Sequence, residues 1–409
     1  MTTRIDAERL WATHMELAQI GATANDGVCR LAASPEDGAG RDRFAAWCRE
    51  AGLDMRVDRI GNMFARRRGR RDDLPPVLVG SHLDSQPTGG KFDGAFGVLA
   101  GLEIVRQLNA REMDTDHPVE LVNWTNEEGC RFQPSSLGAE VFAGLLLLEE
   151  GLSRHDADGK RLEDELRAIG YLGEAPVRGT LPKAYLEGHI EQGPILEETR
   201  CQVGIVEGSM GVNAYEVELT GVEAHTGTTP VGRRKDALLA ACRIASAVNE
   251  LAFRYEPDGR ATVAQMQISP NVRSVVASRV TLTTDCRHAD PDMLERMTEE
   301  LNYILRREAE RHDVGMTSRL YWSNPALRFD ETCVAALRRA AENGGFSSQP
   351  LVSGAGHDAI PIARVVPAAM LFVPSKDGVS HNEAEYTSPD ELAVGCAVLM
   401  EAVLQLAQA

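Results

Sequence analysis

Short apolar runs rich in β-branched residues alternate with helical patterns through the first half of the chain. Residues 76–80 form one such run, which leads into His82, and apolar residues recur at helical spacing from 95 to 108. A second run, at 119–124, leads directly into Glu127 and Glu128. This alternation predicts an α/β fold with a mixed, mainly parallel sheet covered by helices. Polar side chains just beyond strand ends are expected to line the binding crevice of such a sheet.

The pattern changes near residue 212, where Tyr215, Val217 and Leu219 alternate with glutamates, as in a strand with one solvated face. The following segments have the patterns of a helix, two strands, a helix and a strand, at 234–253, 262–268, 279–287, 293–312 and 320–322. This order predicts a ferredoxin-like α+β domain at 212–327. The flanking segments, 1–211 and 328–409, are predicted to form one domain around this insertion.

Composition narrows the possible partners. With 43 basic and 61 acidic residues, the formal net charge is −18, so we expect neither nucleic acid nor an anionic membrane as a partner. The chain lacks a run of about 18 apolar residues that could span a bilayer, and its amino terminus lacks the apolar core of a signal peptide. The eight cysteines form no CxxC pair, which favours reduced, mostly buried thiols and a cytoplasmic location.

Four polar clusters lie just beyond apolar runs, at residues 80–84 with 91–94, 127–128, 187–189 and 380–383. Taken singly, a histidine after a strand is more often a loop residue, and a Glu-Glu pair is more often a solvated face. Their joint occurrence at predicted strand ends favours a metal site. Imidazole and carboxylate ligands without cysteine are typical of catalytic sites for zinc, manganese, cobalt or nickel.

Six longer runs extend these clusters over residues 80–387: GSHLDSQPTGGKFDG, NWTNEEGCRF, YLEGHIEQGPILE, GVEAHTGTTP, SGAGHDA and PSKDGVSHNEAEYT. Together they closely resemble the hydantoinase/carbamoylase branch of the M20 amidohydrolase and peptidase superfamily. The resemblance implies a zinc-exopeptidase-like catalytic domain, 1–211 with 328–409. It further implies that the ferredoxin-like insertion, 212–327, serves as a lid and dimerisation domain.

The resemblance also implies a site for two divalent metal ions, which are zinc, manganese, cobalt or nickel. Asp93 would bridge both ions, and the terminal ligands would be His82, Glu128, His189 and His381. Glu127 is implied as the general acid/base. An amide or ureido carbon is a weak electrophile, so divalent ions are needed to polarise its oxygen and to lower the pKa of water. A carboxylate then takes the proton of that water and delivers it to the leaving nitrogen.

His225 has two interpretations. From the residues alone it is a surface-loop histidine, because nothing near it has the spacing of metal ligands. In the family that the chain resembles, the matching histidine stabilises the oxyanion and is supplied by the partner's lid across a dimer. The resemblance therefore implies a catalytic role for His225, a homodimer, and a lid that closes over the site.

Arg287 also has two interpretations. A period of two between 279 and 287 places Asp285 and Arg287 on one face of a strand, where they could form an intrastrand ion pair. The resemblance favours capture of a substrate carboxylate instead, for which the guanidinium fork is well shaped. It also implies that Gln192 and Gly354 contact the substrate.

The segment 274–278 departs from the family pattern. Relatives usually carry Asn-Val-Ile-Pro-Gly thirteen residues before the carboxylate-binding arginine, whereas this chain has Ser-Val-Val-Ala-Ser. Ser274 therefore occupies the place of a substrate-contacting asparagine. Serine keeps a donor and an acceptor, but it is shorter and lacks the paired geometry of an amide. The substrate is accordingly less well determined by the sequence than the metal site.

The leading hypothesis is a metal-dependent amidohydrolase that converts an N-carbamoyl-L-amino acid into the amino acid, carbon dioxide and ammonia. The loop at 82–94 is more similar to carbamoylases and ureidopropionases than to relatives that hydrolyse allantoate. N-carbamoyl-β-alanine and allantoate are the alternative substrates. Two further hypotheses are an M20-type peptidase or deacylase, and a homologue that binds an amino acid without turnover.

Overall fold

The computed structural model describes residues 5–408, which form two compact units. The first unit comprises the chain up to Glu207, Phe329–Leu351 and the residues from Ala355 onward. The second unit comprises Gly208–Arg328 and Val352–Gly354. The predicted boundaries at 212 and 327 did not include the return at 352–354. This segment belongs to the second unit because, among other contacts, the N–H of Met210 donates to the carbonyl of Ser353 at 2.8 Å.

The first unit is built on one mixed sheet. Its strands are β1 Asp54–Val57, β2 Met63–Arg67, β3 Val77–His82, β4 Val119–Trp124, β5 Ala184–Ile190, β6 Val203–Ser209, β14 Ser348–Ser353 and β15 Ala368–Val373. Their order is β1-β2-β4-β3-β5-β15-β6, with β14 paired to β6. The central strands β4, β3, β5 and β15 are parallel, and antiparallel pairs flank them. The predicted mixed, mainly parallel sheet is confirmed.

Every residue of the four parallel strands is buried. This burial explains why β3 and β15, with the sequences VLVGSH and AAMLFV, are mostly apolar and show no alternation of apolar and polar residues. The helices of this unit are α1 Ala7–Leu17, α2 Pro35–Glu50, α3 Ala95–Ala110, α4 Leu137–Ala143, α5 Leu148–Leu152, α6 Leu162–Ala168, α7 Ile195–Thr199, α10 Glu331–Gly344, α11 Ala359–Ile362 and α12 Pro389–Ala407. Of these, α3 packs on β3 and β5, and α12 packs on α1, α3 and α10.

The second unit has the predicted order of strand, helix, two strands, helix and strand. Its elements are β7 Gly211–Thr220, β8 Ala224–His225, α8 Ala237–Arg254, β9 Arg260–Ser269, β10 Val275–Val276, β11 Arg279–His288, α9 Pro291–Arg311, β12 Gly315–Asn324 and β13 Leu327–Arg328. The four long strands form an antiparallel sheet in the order β12-β7-β11-β9, which is the ferredoxin-like arrangement. Apolar residues of α8 and α9 pack against this sheet and form the core of the unit.

Among residues 5–408, no helix combines the length and the apolar character that crossing a membrane requires. All eight cysteines are free. The expectation that most of them are buried is only partly confirmed, since Cys48, Cys286, Cys333 and Cys396 are buried, whereas Cys130 and Cys242 are exposed. Cys242 is exposed because it lies off the buried stripe of α8, which includes Ala241, Ile244 and Val248.

Helix α1 buries a histidine in its apolar face. His14 is 1% exposed and packs against Phe92 and Phe96, with ring centroids 6.0 and 6.4 Å away. Its Nδ1 donates to the carbonyl of Leu10 at 2.9 Å, and its Nε2 is buried without a hydrogen-bond partner among the described residues. Burial lowers the pKa of His14 to about 4, because the charged ring cannot be solvated there.

We expect His14 to make the protein less stable in mild acid. The pKa of the folded state lies below that of the unfolded chain, so the unfolded chain takes up the proton first as the pH falls from about 6.5 to about 4. This difference removes at most about 3 kcal/mol of unfolding free energy. Urea unfolding of His14→Phe from pH 7 to 4 should therefore show a flatter pH dependence than the unsubstituted protein. The same substitution at His155, which is exposed, should leave the slope unchanged.

Candidate metal centre and substrate residues

The predicted metal ligands come from the carboxyl ends of four neighbouring parallel strands. His82 is the last residue of β3, and His189 is the penultimate residue of β5. Glu127 and Glu128 follow β4, and His381 lies in the segment after β15. Because parallel strands end at the same edge of a sheet, the fold brings these side chains together.

Asp93 lies at the centre of this cluster. Its Oδ1 is 3.1 Å from Nε2 of His189 and 3.6 Å from Nε2 of His82. Its Oδ2 is 3.5 Å from Nε2 of His381, which is itself 3.4 Å from Oε2 of Glu128. The donor atoms therefore form two groups that share Asp93, and within each group they lie within 4.8 Å of one another. A carboxylate that bridges two metal ions requires this arrangement.

The two buried histidines present Nε2 to Asp93. Nδ1 of His82 donates to the carbonyl of Asp84, and Nδ1 of His189 donates to the carbonyl of Ile190, both at 2.9 Å. A carbonyl can only accept, so in each neutral ring the proton is on Nδ1 and the lone pair is on Nε2. Nε2 of His82 is buried without a hydrogen-bond partner among residues 5–408. Both rings thus have the tautomer that metal ligation requires.

The spacing and charge of the donors also fit divalent ions. Four donors about 2.1 Å from a tetrahedral zinc ion lie about 3.4 Å from one another. The nitrogen–oxygen distances around Asp93 and between His381 and Glu128 range from 3.1 to 3.6 Å. Burial, together with the charges of Asp93 and Glu127, raises the pKa of Glu128 well above its ordinary value. Bound cations would relieve this crowding of carboxylates.

Glu127 lies beside the first ligand group, with Oε2 3.5 Å from Nε2 of His82. Its Oε1 accepts a hydrogen bond from Oγ of Ser136 at 3.3 Å. The N–H groups of Glu127 and Glu128 both donate to the carboxylate of Asp84, at 3.2 Å each. Asp84 thus fixes the backbone of the turn that carries the two glutamates. Burial raises the pKa of Glu127 to about 7.

Gln192 contacts the same cluster. Its Nε2 donates to Oδ2 of Asp93 at 2.8 Å and lies 3.3 Å from Nε2 of His381. The backbone of Gln192 is left-handed, with φ at 57°, and its N–H donates to Oγ of Ser375 at 3.0 Å. The structure therefore brings this predicted substrate residue together with the predicted metal ligands.

Arg287 and Gly354 lie together in the second unit. Nη1 of Arg287 donates to the carbonyl of Gly354 at 3.0 Å. Nε and Nη2 each lie 3.4 Å from a carboxylate oxygen of Asp285. The intrastrand ion pair, which is the interpretation from periodicity, is therefore present. The guanidinium side chain remains 34% exposed, so it is accessible for a further anionic contact.

His225 and Ser274 are brought together by the short pair of β8 and β10, in which His225 lies opposite Val275. Ser274 adopts a left-handed backbone, with φ at 67°. Nδ1 of the exposed His225 accepts hydrogen bonds from the N–H groups of Gly227 and Thr228, at 2.9 and 3.1 Å. In the neutral ring the proton is therefore on Nε2, which makes this atom a donor.

Three polar residues that hold the ligands received no role from the sequence: Asp84, Gln86 and Glu385. Nε2 of Gln86 donates to Oε2 of Glu128 at 2.6 Å, and Oε1 of Glu385 accepts from the N–H of Asp93 at 3.0 Å. All three lie within the runs GSHLDSQPTGGKFDG and PSKDGVSHNEAEYT, a few positions from the predicted ligands. This closeness in sequence was the only indication of their role. Which atom each of them contacts depends on how the loops fold.

A parallel sheet whose strand ends carry a histidine and carboxylate cluster of this kind is the framework of a metal-dependent hydrolase. The chain belongs to peptidase family M20/M25/M40, whose pattern matches residues 78–405. An N-carbamoyl-L-amino-acid amidohydrolase from Rhizobium meliloti is 45% identical over 405 residues, which are 99% of this chain and 97% of that protein. An allantoate amidohydrolase from Escherichia coli (strain K12) is 34% identical over 393 residues, 96% of each chain.

The fold is also similar to solved structures. A crystal structure of an amidase of the hydantoinase/carbamoylase family from Burkholderia multivorans has a TM-score of 0.96 and 47% identity, and the match covers 100% of both chains. These comparisons confirm the family predicted from the six runs. They also confirm the predicted class of enzyme, a hydrolase of carbon–nitrogen bonds. The roles of individual side chains stay predictions.

Gly94 offers a test of the ligand geometry. Its φ is 62°, and a Cβ at this position would lie 2.3 to 2.5 Å from the ring atoms of His82. Because the ring would have to move, we expect Gly94→Ala to weaken binding of divalent ions by about tenfold or more. Competition with a chelator, followed for each ion separately, measures this affinity.

Gly170→Ala is the matched control, because Gly170 has φ at 80° and a Cβ there would meet no atom within 4 Å. Both variants place an alanine at a positive φ, which costs on the order of 1 kcal/mol or more of stability. Thermal unfolding measures this loss in each variant separately from the metal affinity. Equal metal affinity in the two variants would contradict the assignment of His82 as a ligand.

Proposed function

We propose that the protein is a dinuclear metal-dependent amidohydrolase. It would cleave the carbamoyl carbon–nitrogen bond of an N-carbamoyl-L-amino acid and release the amino acid, carbon dioxide and ammonia. The observation that carries the proposal is the pair of ligand groups that share Asp93, with Glu127 beside them. The name of the Rhizobium meliloti relative, an N-carbamoyl-L-amino-acid amidohydrolase at 45% identity, supports the substrate class.

The metal ions would be zinc, manganese, cobalt or nickel, all of which accept imidazole and carboxylate ligands. Their ligands would be His82, His189, Asp93, Glu128 and His381. When bound, such ions polarise a carbonyl oxygen and lower the pKa of water. Glu127 would take the proton of the attacking water and deliver it to the leaving nitrogen. The hydrogen bond from Ser136 holds one oxygen of Glu127, and the other oxygen lies on the side of His82.

Arg287 would bind the carboxylate of the substrate. Its contacts with Gly354 and Asp285 fix the guanidinium in advance, which lowers the entropy lost on binding. Gly354 and Ser274 would add contacts from the same unit, and Gln192 would contribute its amide from the first unit. Because the chain has a net charge of −18, an anionic substrate needs a local positive charge at its binding site. The guanidinium of Arg287 would supply that charge.

The second unit would act as a lid and as the dimerisation domain of a homodimer. Within the part of the chain that the structure describes, strand β12 pairs with β7 alone and so lies at the edge of its sheet. It bears Leu320, Tyr321 and Trp322, which are 47–49% exposed. An edge strand with exposed apolar side chains favours pairing with a second chain. The Nε2–H group of His225 would then donate to the developing oxyanion in the partner's site. A cytoplasmic location is supported by the eight free cysteines.

Glu127→Gln tests the reaction. The amide keeps the size of the side chain but cannot take a proton, so turnover should fall by a factor on the order of 10²–10⁴ while the metal content stays the same. The assay is ammonia release after reconstitution with manganese, zinc, cobalt or nickel. The substrates are N-carbamoyl-L- and D-amino acids, N-carbamoyl-β-alanine and allantoate.

Glu128→Gln is the matched control, because it should lose metal as well as turnover. Retention of most of the turnover by metal-loaded Glu127→Gln would refute the assigned mechanism. Turnover of allantoate alone would replace the proposed substrate with that of the Escherichia coli relative, which is named allantoate amidohydrolase. Cleavage of peptides without ammonia release from any ureido substrate would point to a peptidase.

Mixing two inactive variants tests whether His225 acts across a dimer. A heterodimer of Glu127→Gln and His225→Ala contains one site with an intact Glu127 that receives His225 from the other chain. After unfolding and refolding at a ratio of one to one, half of the dimers are mixed, so activity should return to about one quarter of the unsubstituted level. If His225 acts within its own chain, no site in the mixture is complete and activity stays at the level of the separate variants.

A further inference from the structure

Glu385 is a buried carboxylate in the segment that carries His381, and the proposed reaction does not use it. It is 4% exposed, and its own N–H donates to the carbonyl of Asn382 at 3.0 Å. Oε1 of Glu385 accepts two backbone hydrogen bonds from the other ligand-bearing segment, from the N–H of Phe92 at 3.1 Å and from the N–H of Asp93 at 3.0 Å. One carboxylate oxygen thus holds the backbone of the shared ligand.

The other oxygen of Glu385 reaches the side chain of that ligand through Ser380. Oγ of Ser380 lies 3.0 Å from Oε2 of Glu385 and 3.0 Å from Oδ2 of Asp93. Oδ2 is also the oxygen that faces His381, at 3.5 Å. Glu385 therefore contacts the backbone of Asp93 directly and its carboxylate through one hydroxyl group.

Gly90 makes room for this arrangement. A Cβ at residue 90 would lie 2.1 Å from Oε1 of Glu385 and 2.4 Å from its Cβ. Any larger residue would push the carboxylate away from the N–H groups of Phe92 and Asp93. The Gly89-Gly90 pair in the sequence thus has a packing role besides the turn that it forms.

We propose that Glu385 is a positioning residue of the metal centre, which fixes the carboxylate of Asp93 between the two ligand groups. It does so by tying residues 90–93 to residues 380–385, the two segments that supply Asp93 and His381. Contacts of this kind orient a ligand before the metal binds, and their loss weakens metal affinity. The inference rests on the proposed dinuclear centre, but it does not depend on which ureido compound is the substrate.

Metal affinity without substrate tests the proposal. We expect Glu385→Ala to weaken binding of Co²⁺ and Zn²⁺ by about 10–100-fold in chelator competition, and to change the visible absorption of the Co²⁺ protein. Glu385→Gln should stay within about threefold of the unsubstituted protein. Its amide oxygen accepts from the two N–H groups, and its Nε2 donates to Ser380, whose proton remains available to Asp93. Rescue by glutamine would distinguish positioning from a general effect on folding.

Glu383→Ala is the matched control. This glutamate lies in the same segment, but its carboxylate accepts hydrogen bonds from Thr23 and Asn25, away from the ligands. Its removal should leave the metal affinity unchanged. Equal affinity of Glu385→Ala and the unsubstituted protein would overturn the inference. If Glu385→Ala does not fold, Gly90→Ala decides, because its Cβ would displace Oε1 of Glu385 from the N–H groups of Phe92 and Asp93, and an unchanged affinity would again overturn the proposal.

The proposed function can fail separately. If the unsubstituted protein binds no divalent ion, the dinuclear centre is overturned, and this inference with it. Two tightly bound ions in both the unsubstituted protein and Glu385→Ala would overturn only the role of Glu385. Tight binding by the unsubstituted protein, with loss in Glu385→Ala and recovery in Glu385→Gln, supports the role whichever substrate is turned over.

Discussion

The carboxylate of Asp93 stands where five donor side chains converge, and each of its oxygens faces a different ligand group. The buried carboxylates of Asp93, Glu127 and Glu128 lie close together and repel one another. The arrangement therefore requires both positive charge and rigid support. The support comes from a shell of directed hydrogen bonds: Asp84 to the turn of the two glutamates, and Glu385 to the backbone of Asp93. The strands of the first unit determine where the residues that make these contacts lie.

Parallel strands are the means of that placement. The order β4-β3-β5-β15 puts four strand ends side by side, although the residues that follow them are separated by up to 288 positions in the chain, as between 93 and 381. Burial of every residue in these strands makes the edge stiff, because a shift would expose apolar surface on the whole sheet. Ligands attached at the ends of such strands are held more accurately than ligands on long loops. His381, the proposed ligand on the longest of these loops, lies in the segment 380–385, which Glu385 joins to the backbone of Asp93.

The residues of the second unit differ in kind from this cluster. His225, Ser274 and Arg287 are exposed or half-buried, and the side chains of His225 and Arg287 are held by two and three hydrogen bonds. Ser274 has a left-handed backbone, which asparagine tolerates better than serine does. Under the proposed assignment, so few contacts would leave room for the substrate preference to change while the metal centre stays the same.

The sequence by itself determined the parallel and ferredoxin-like architecture, because the order of strand-like runs and helical patterns along the chain predicts both. It also indicated which histidines and carboxylates lie near strand ends, and the six runs determined the family. Only the tertiary structure decided that Nε2 of His82 and of His189 faces Asp93, that Arg287 pairs with Asp285, and that Glu385 holds the backbone of Asp93. The contact between Glu385 and Asp93 joins residues 292 positions apart, and Nε2 of His82 and of His189 reaches Asp93 from two different strands. Their geometry depends on packing that no local pattern records.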